Sequence, residues 1–232
     1  MTAKQPIMRK WNAWFSKISD DVATLHFYRK IYNDVGAIVK SNPAISRPNV
    51  FYAFLAQGYV TPALVIMRRQ VTDNKDSVSL ARLLTDISKH PTEVSRTHFH
   101  SLYAASDYTD GEIDRDFETA GVESGRDFID PASVLRDLAT LQGMTHLVHK
   151  YTDKMVAHID AHGWAMRIPT FDDLDVAIDT LAQFCDKYSV LLRGEGIAFS
   201  ELAIEPDWQD VFTVPWIAKP SRGQIRRMTH VS

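Results

Sequence analysis

The chain has 232 residues, of which 45% are hydrophobic and 24% are charged, and its formal net charge is −3. This composition is that of an ordinary globular protein, and the slightly negative charge argues against a surface that binds nucleic acid through bulk positive charge. No run approaches the roughly 20 apolar residues that a membrane-spanning helix needs, so we expect no membrane partner. The single cysteine, Cys185, cannot form an internal disulfide, which fits a cytoplasmic protein, and its helical surroundings predict a half-buried thiol.

Two long helices are predicted before residue 72. Apolar side chains recur at intervals of three and four residues from about residue 8 to residue 41, which is helical periodicity. Prolines and asparagines in residues 41–49 end this helix, and Asn49 is placed to cap a second helix over residues 50–71. Pro62 lies inside the second helix, where we expect a bend.

Residues 72–130 are predicted to hold two short helices and a loop. Ser77 or Ser79 is placed to cap the first helix, and the second is expected within residues 93–103. Residues 106–130 are acidic and contain several glycines, so we expect a surface loop that is partly disordered. The inward face of the first short helix is predicted to carry Leu80, Leu83, Leu84 and Ile87.

One late stretch, residues 130–162, has the pattern of a single long helix. Asp130 is placed to cap it, and Pro131 stands at the first helical position, where a missing N–H costs nothing. A 4-3 spacing predicts a seam of roughly 40 Å at about 1.5 Å per residue, apolar except at Thr145 and Thr152. Titratable side chains crowd the last turns of this helix: His146, His149, Lys150, Asp153, Lys154, His158, Asp160 and His162.

A further helix is predicted over residues 171–193, with Gly194 as its stop. Residues 195–232 show no long period and end in a basic segment, which predicts an irregular tail. The predicted fold is therefore all-α. It is an up-and-down bundle of about four long helices plus short helices over residues 1–194, followed by an irregular basic C-terminal tail over residues 195–232. The basic residues of that tail are Lys219, Arg222, Arg226 and Arg227.

Two motifs carry a resemblance to a known family. The run ALVIMRRQVTDNKDSVSLARLLTDISKHPTEVSRTHF, residues 63–99, and the later run HKYTDKMVAHID, residues 149–160, resemble the HEPN superfamily, in particular its abortive-infection branch of the U type. The resemblance covers roughly residues 20–162. It implies an up-and-down helical bundle, a homodimer in which two late helices meet and, in active members, a metal-independent ribonuclease site of a toxin or phage-defence protein.

The late helix departs from the signature of active HEPN ribonucleases. That signature is an arginine separated by four to six residues from a histidine, and His158 matches the histidine. The positions where the arginine would stand hold Tyr151, Thr152 and Asp153 instead. Lys154 lies four residues before His158 and, on an α-helix, would share its face. The arginine's role must therefore be supplied from elsewhere, or be missing.

Cleavage of RNA without a metal needs a base, an acid and a cation that holds the phosphate. A histidine can carry or release a proton near neutral pH, so His158 is the candidate acid or base. Asp153 could orient a histidine ring or a lysine, and Lys154 could hold the negatively charged phosphate. The candidate phosphate-binding residues are Arg68, Arg69 and Lys150. The leading hypothesis is therefore a HEPN-like endoribonuclease that needs no metal or other cofactor.

Other interpretations of the same residues stay open. The chain could be a non-catalytic HEPN-like bundle that binds RNA, a nucleotide or a protein partner, or a structural dimerisation module. In that case His158 is a packed residue and Arg69 pairs with Asp73 one turn on, for a gain of only a few tenths of a kcal/mol. A metal site is disfavoured. His158 with His162 and His149 with Asp153 are spaced four residues apart, but a third ligand would have to come from another helix, and no glutamate follows the first histidine as in the zinc-protease motif.

Overall fold

The computed structural model describes residues 5–157 and 166–214, which are mostly helical. Apart from an isolated bridge between Ser95 and Phe128, no strand occurs within those residues, and the predicted all-α fold is confirmed. The helices are α1 (Gln5–Ser41), α2 (Val50–Val71), α3 (Leu80–Lys89), α4 (Arg96–Leu102), α5 (Asp110–Thr119), α6 (Pro131–Tyr151) and α7 (Phe171–Arg193), with a π-helical turn at Thr152–Ala157. Short 3-10 turns occur at Pro91–Glu93, Phe199–Glu201 and Pro206–Phe212.

The chain divides into two compact units, residues 1–202 and residues 203–232. In the first, Ile197 and Phe199 pack against the hydrophobic core, so the segment directly after α7 belongs to the bundle. In the second, the described residues contain the turn Pro206–Phe212, where the rings of Trp208 and Phe212 meet edge-on. The basic end of the predicted tail lies outside the described residues.

The long helices begin and end where local chemistry requires. The Asn49 side chain caps α2 by accepting the Phe51 N–H, and α2 has the predicted bounds. A capping box joins Thr170 and Asp173 at the start of α7. Gly194 ends α7 in the left-handed conformation, with φ of 73°, which glycine adopts at no steric cost.

Helix α6 lies at the centre of the bundle, packed against α2, α3 and α7. Asp130 caps it as predicted, by accepting the Ala132 N–H, and Pro131 is its first residue. Thr145 is buried in the seam, and its hydroxyl donates to the Leu141 carbonyl at 2.7 Å, so burial leaves no unpaired polar atom. The other core side chains of α6 are Val134, Leu141 and Val148.

The predicted single helix over residues 130–162 is interrupted. Regular α-helix ends at Tyr151 and continues as the π-helical turn Thr152–Ala157. Thr152 begins that turn fully buried, and its hydroxyl donates to the Val148 carbonyl at 2.7 Å. The predicted residues 158–162 lie outside the described residues. The interruption has no signal in the apolar spacing, which continues through it unchanged.

The expectation of a partly disordered loop at residues 106–130 is wrong. The segment holds helix α5, which begins with a capping box between Thr109 and Glu112. Ile113 and Phe117, four residues apart, are both buried in the common core. Two apolar residues on one face anchor a helix whose other faces are acidic and solvated, and its acidic composition conceals this spacing in the sequence.

Cys185 is fully buried rather than half-buried, and burial raises the pKa of its thiol to about 12. The thiol is therefore protonated at neutral pH and belongs to the packing of α7.

The predicted inward face of α3 is confirmed, because its four apolar residues are all buried. Ser79, rather than Ser77, caps α3 by accepting the Arg82 N–H.

Helix α2 is strongly apolar in composition. Among the described helices it alone is long and apolar enough to cross a membrane by length and composition, with a mean hydropathy of 1.6 over its best window. The core helix of a soluble protein passes the same test, and residues 63–71 of α2 are largely packed in the bundle. Its last turn also carries Arg68 and Arg69. Helix α2 is therefore not clearly a membrane span.

We expect Phe117→Ala to lower the free energy of unfolding by about 3–5 kcal/mol, because it removes a fully buried aromatic ring. Phe128→Ala is the matched control, since Phe128 lies in the same acidic segment but is 37% exposed and should cost about 2 kcal/mol less. Urea unfolding followed by circular dichroism measures both. Equal losses would mean that α5 does not contribute Phe117 to the core.

Candidate functional site

The C-terminal end of α2 and the π-helical turn bring together two residues that the sequence separates by 85 positions. Arg68 donates from Nε and from Nη2 to the same oxygen of Asp153, Oδ1, each at 2.7 Å. The predicted site residues Arg68 and Asp153 are therefore direct partners. We call this place, formed by Arg68, Thr72, His149 and Asp153, the α2–α6 polar junction.

His149 enters the junction from the last turn of α6. The Thr72 hydroxyl donates to the Arg68 carbonyl at 2.7 Å and lies 3.3 Å from His149 Nε2. Because the hydroxyl has a single proton, already donated to that carbonyl, Nε2 must be the donor in this contact. The neutral imidazole then carries its free electron pair on Nδ1.

Burial is the main reason that the pKa of His149 is lowered from its usual 6.5. Asp153 acts in the opposite direction and raises it, whereas Arg68 and Lys150 lower it further. His149 is therefore neutral at pH 7 and could accept a proton, which is the role of a general base.

Arg69 lies in a different contact from its neighbour Arg68. Its guanidinium pairs with Asp21 of α1 through Nε and Nη2, and the adjacent Gln70 donates to the same carboxylate. The predicted pair of Arg69 with Asp73 is wrong, because Asp73 instead accepts the Thr85 hydroxyl of α3 at 2.7 Å. Consecutive residues on a helix point about 100° apart, so α2 directs one arginine to α6 and the next to α1.

Three predicted site residues remain: Lys150, Lys154 and His158. Lys150 and Lys154 are solvent-exposed, on the last turn of α6 and on the π-helical turn respectively. His158, the predicted acid or base, lies outside the described residues. The junction as described thus contains two of the six predicted site residues, Arg68 and Asp153, together with two exposed lysines at its edge.

Thr72 and His149 are the junction residues that the predicted site did not include. The sequence holds one signal for His149, which is its spacing of four residues from Asp153 at the end of α6. It holds none for Thr72, because Thr72 reaches His149 only through the packing of α2 against α6.

Within residues 5–157 and 166–214, no group of three or more His, Cys, Asp or Glu side chains could hold a metal ion.

A separate cleft of about 640 Å³ is lined by the C-terminal ends of α5 and α7. In it, Asp137 of α6 accepts hydrogen bonds from Lys187 at 2.7 Å and from the Tyr188 hydroxyl at 2.8 Å. Burial raises the pKa of Tyr188 well above its usual value. These contacts, both made by Oδ2 of Asp137, join α6 to α7 and give this carboxylate a structural role.

Comparisons with known proteins give no match, whether with family models, with curated proteins or with solved structures. The chemistry of the α2–α6 polar junction therefore has to be inferred from its own residues.

We expect His149→Gln to flatten the dependence of stability on pH. Below pH 6.5 the unfolded chain binds a proton at His149 before the folded chain does, so the free energy of unfolding falls as the pH drops. His149 is only half-buried, so solvent screening should keep its share below about 1 kcal/mol between about pH 7.5 and 5.5. Urea unfolding at the two pH values measures this.

His146→Gln is the control for this experiment, because His146 is an exposed histidine one turn earlier on α6. The core residue His26, whose pKa burial lowers to about 4, keeps part of the pH dependence in both variants. A wild-type slope in His149→Gln would contradict the assignment of a neutral, half-buried imidazole at the junction.

Proposed function

We propose that the chain is a HEPN-type, metal-independent endoribonuclease of the toxin or phage-defence kind, acting in the cytoplasm, and that the α2–α6 polar junction is its phosphate-binding half. The observation that carries the proposal is the contact between Arg68 and Asp153 beside the neutral His149. The late helix lacks the arginine of the HEPN signature. Arg68 supplies a guanidinium from α2 at the segment where that arginine would stand.

The roles follow from the chemistry of the groups. His149 accepts the proton of the ribose 2′-hydroxyl as that oxygen attacks phosphorus, and Arg68 stabilises the negative charge that builds on the phosphate. His158, five residues after Asp153 in the sequence, is assigned the proton donor to the departing 5′-oxygen. Lys150 and Lys154 attract the RNA backbone, and Asp153 holds the Arg68 guanidinium in position until a phosphate takes its place.

The ion pair at the junction does not prevent phosphate binding. The side chains of Arg68 and Asp153 are 40% and 43% exposed, and a pair with such exposure contributes at most about 1 kcal/mol. A phosphodiester can offer the guanidinium two parallel hydrogen bonds, which match its planar fork better than a single carboxylate oxygen does. The π-helical turn supports the same location, because such turns occur frequently at functional sites.

We expect the purified protein to cleave single-stranded RNA in the presence of a chelator. Arg68→Gln should slow cleavage on the order of 10²–10³-fold, because it removes the cation that stabilises the phosphate. His149→Gln and His158→Ala should each slow it on the order of 10²–10⁴-fold, because each removes a proton-transfer group. Gel analysis of end-labelled RNA over time measures the rates.

Arg69→Gln is the matched control, because this neighbouring arginine faces Asp21 of α1 rather than the junction. It should cleave at close to the wild-type rate. Intact RNA with the wild-type protein would end the ribonuclease proposal. Salt-sensitive RNA binding without cleavage, weakened by Arg68→Gln but not by Arg69→Gln, would identify a non-catalytic RNA-binding bundle instead.

The proposal includes a homodimer, because the resemblance to HEPN proteins implies that two late helices meet. We expect light scattering to give twice the chain mass of 26.3 kDa at micromolar concentration. A monomer over that range would remove the dimer from the proposal while leaving the cleavage assay to decide the activity.

A further inference from the structure

The distal ends of α1 and α2 form a helical hairpin whose base packs against the hydrophobic core through Tyr28 and Tyr32 and whose far end extends beyond it. We call residues 27–58 the distal hairpin, and none of them is buried in the described chain. The α1 arm, from Phe27 to the end of the helix at Ser41, is about 22 Å long at 1.5 Å per residue. Residues 41–51 at its far end are all exposed, so the composition of that surface indicates what the hairpin contacts.

Large apolar side chains are concentrated at the tip of the distal hairpin, residues 40–54. Val50 is 86% exposed and Phe54 is 69% exposed, the two largest values among the exposed large hydrophobic residues. An apolar groove of about 340 Å³ continues from them between the two helices, bordered by Phe27 and Leu55. Contiguous apolar surface of this kind marks a site of interaction. The other exposed apolar residues of the tip are Ile45 and Phe51.

The charge of the distal hairpin has one sign at its tip. Between residues 35 and 58 the only charged residues are Lys40 and Arg47, and no acidic residue occurs from residue 35 to residue 72. Both basic residues are exposed. The chain as a whole carries a net charge of −3, so this local excess of positive charge is opposite in sign to the average surface. Its complement is therefore an apolar phase bordered by negative charge.

We propose that the distal hairpin docks tip-first on a lipid surface with anionic headgroups. In this arrangement Val50 and Phe54 enter the boundary between headgroups and acyl chains, while Lys40 and Arg47 remain at the level of the phosphates. Helix α2 does not need to cross the bilayer, because its C-terminal half is packed in the bundle. A second copy of the chain is a poorer complement, since its residues 35–58, which include the same tip, offer no acidic residue to Lys40 or Arg47.

The proposal is independent of the α2–α6 polar junction and of its chemistry. Arg68 and the junction lie at the opposite end of α2 from the tip, so variants of Val50 and Phe54 should leave RNA cleavage or RNA binding unchanged. Conversely, Arg68→Gln should leave lipid binding unchanged. The two proposals can therefore fail separately.

Co-sedimentation of the full chain with vesicles tests the proposal. We expect little binding to phosphatidylcholine, and salt-sensitive binding to phosphatidylcholine mixed with phosphatidylglycerol. The double variant Val50→Ser, Phe54→Ser should lower the vesicle affinity roughly tenfold or more, because it removes the apolar tip. Lys40→Gln with Arg47→Gln should remove the preference for phosphatidylglycerol.

Val176→Ser is the matched control, because Val176 is an apolar residue, 45% exposed, that belongs to α7 and not to the distal hairpin. It should bind vesicles as the wild type does, and circular dichroism should give all variants the same helical content. Absence of vesicle binding, or equal binding by the double variant, would overturn the proposal. So would lipid-free self-association that light scattering detects in the wild type and that the double variant loses, because the tip would then be covered by a second copy.

Discussion

The packing of α6 against three other helices is the constraint on which the rest of the structure depends. Two threonines lie in its buried seam, Thr145 within α6 and Thr152 at the start of the π-helical turn. Each hydroxyl donates a hydrogen bond to the backbone carbonyl four residues earlier. Helix α6 therefore crosses the core without an unpaired hydroxyl, and its neighbours approach closely along its length. The end of α2 is one of those neighbours. The position of Arg68 beside His149 and Asp153 is thus a result of core packing rather than of local sequence.

Electrostatic contacts between helices fix the orientation of α1 against that core. Asp86 of α3 accepts hydrogen bonds from Lys10 at 2.6 Å and from the Trp11 indole at 2.7 Å. At the other side, Arg193 at the end of α7 stacks over Phe15 with its guanidinium carbon 4.6 Å from the ring centre. These contacts anchor the N-terminal part of α1. Farther along the helix, Arg29 pairs with Asp179 of α7 at 2.7 Å and the Tyr32 ring stacks on Phe171. Residues 41–51 are all exposed, so the tip of the distal hairpin lies beyond these contacts.

The sequence predicted those elements whose start and stop are local. Asn49 and Gly194 each perform a capping role that can be recognised from neighbours in the chain, so α2 and the end of α7 were found to the residue. Helix α5 was missed because only Ile113 and Phe117 mark its buried face. The candidate site was half predictable. Arg68 and Asp153 were both named from the sequence, but Thr72 becomes their neighbour only in three dimensions, and the pair of Arg69 with Asp73 lost to Asp21, which comes from a distant helix.

The π-helical turn changes how distances along the chain translate into directions. Its hydrogen bonds close five residues apart rather than four, so each such turn accommodates one extra residue. One residue corresponds to about 100° of rotation around the helix axis. Any rule that assigns a shared face to residues four apart therefore loses phase inside Thr152–Ala157. Deletion of one residue within the turn would restore the regular helical phase, and insertion of one residue would double the offset. The length of this short segment, more than its composition, therefore sets the directions of its side chains.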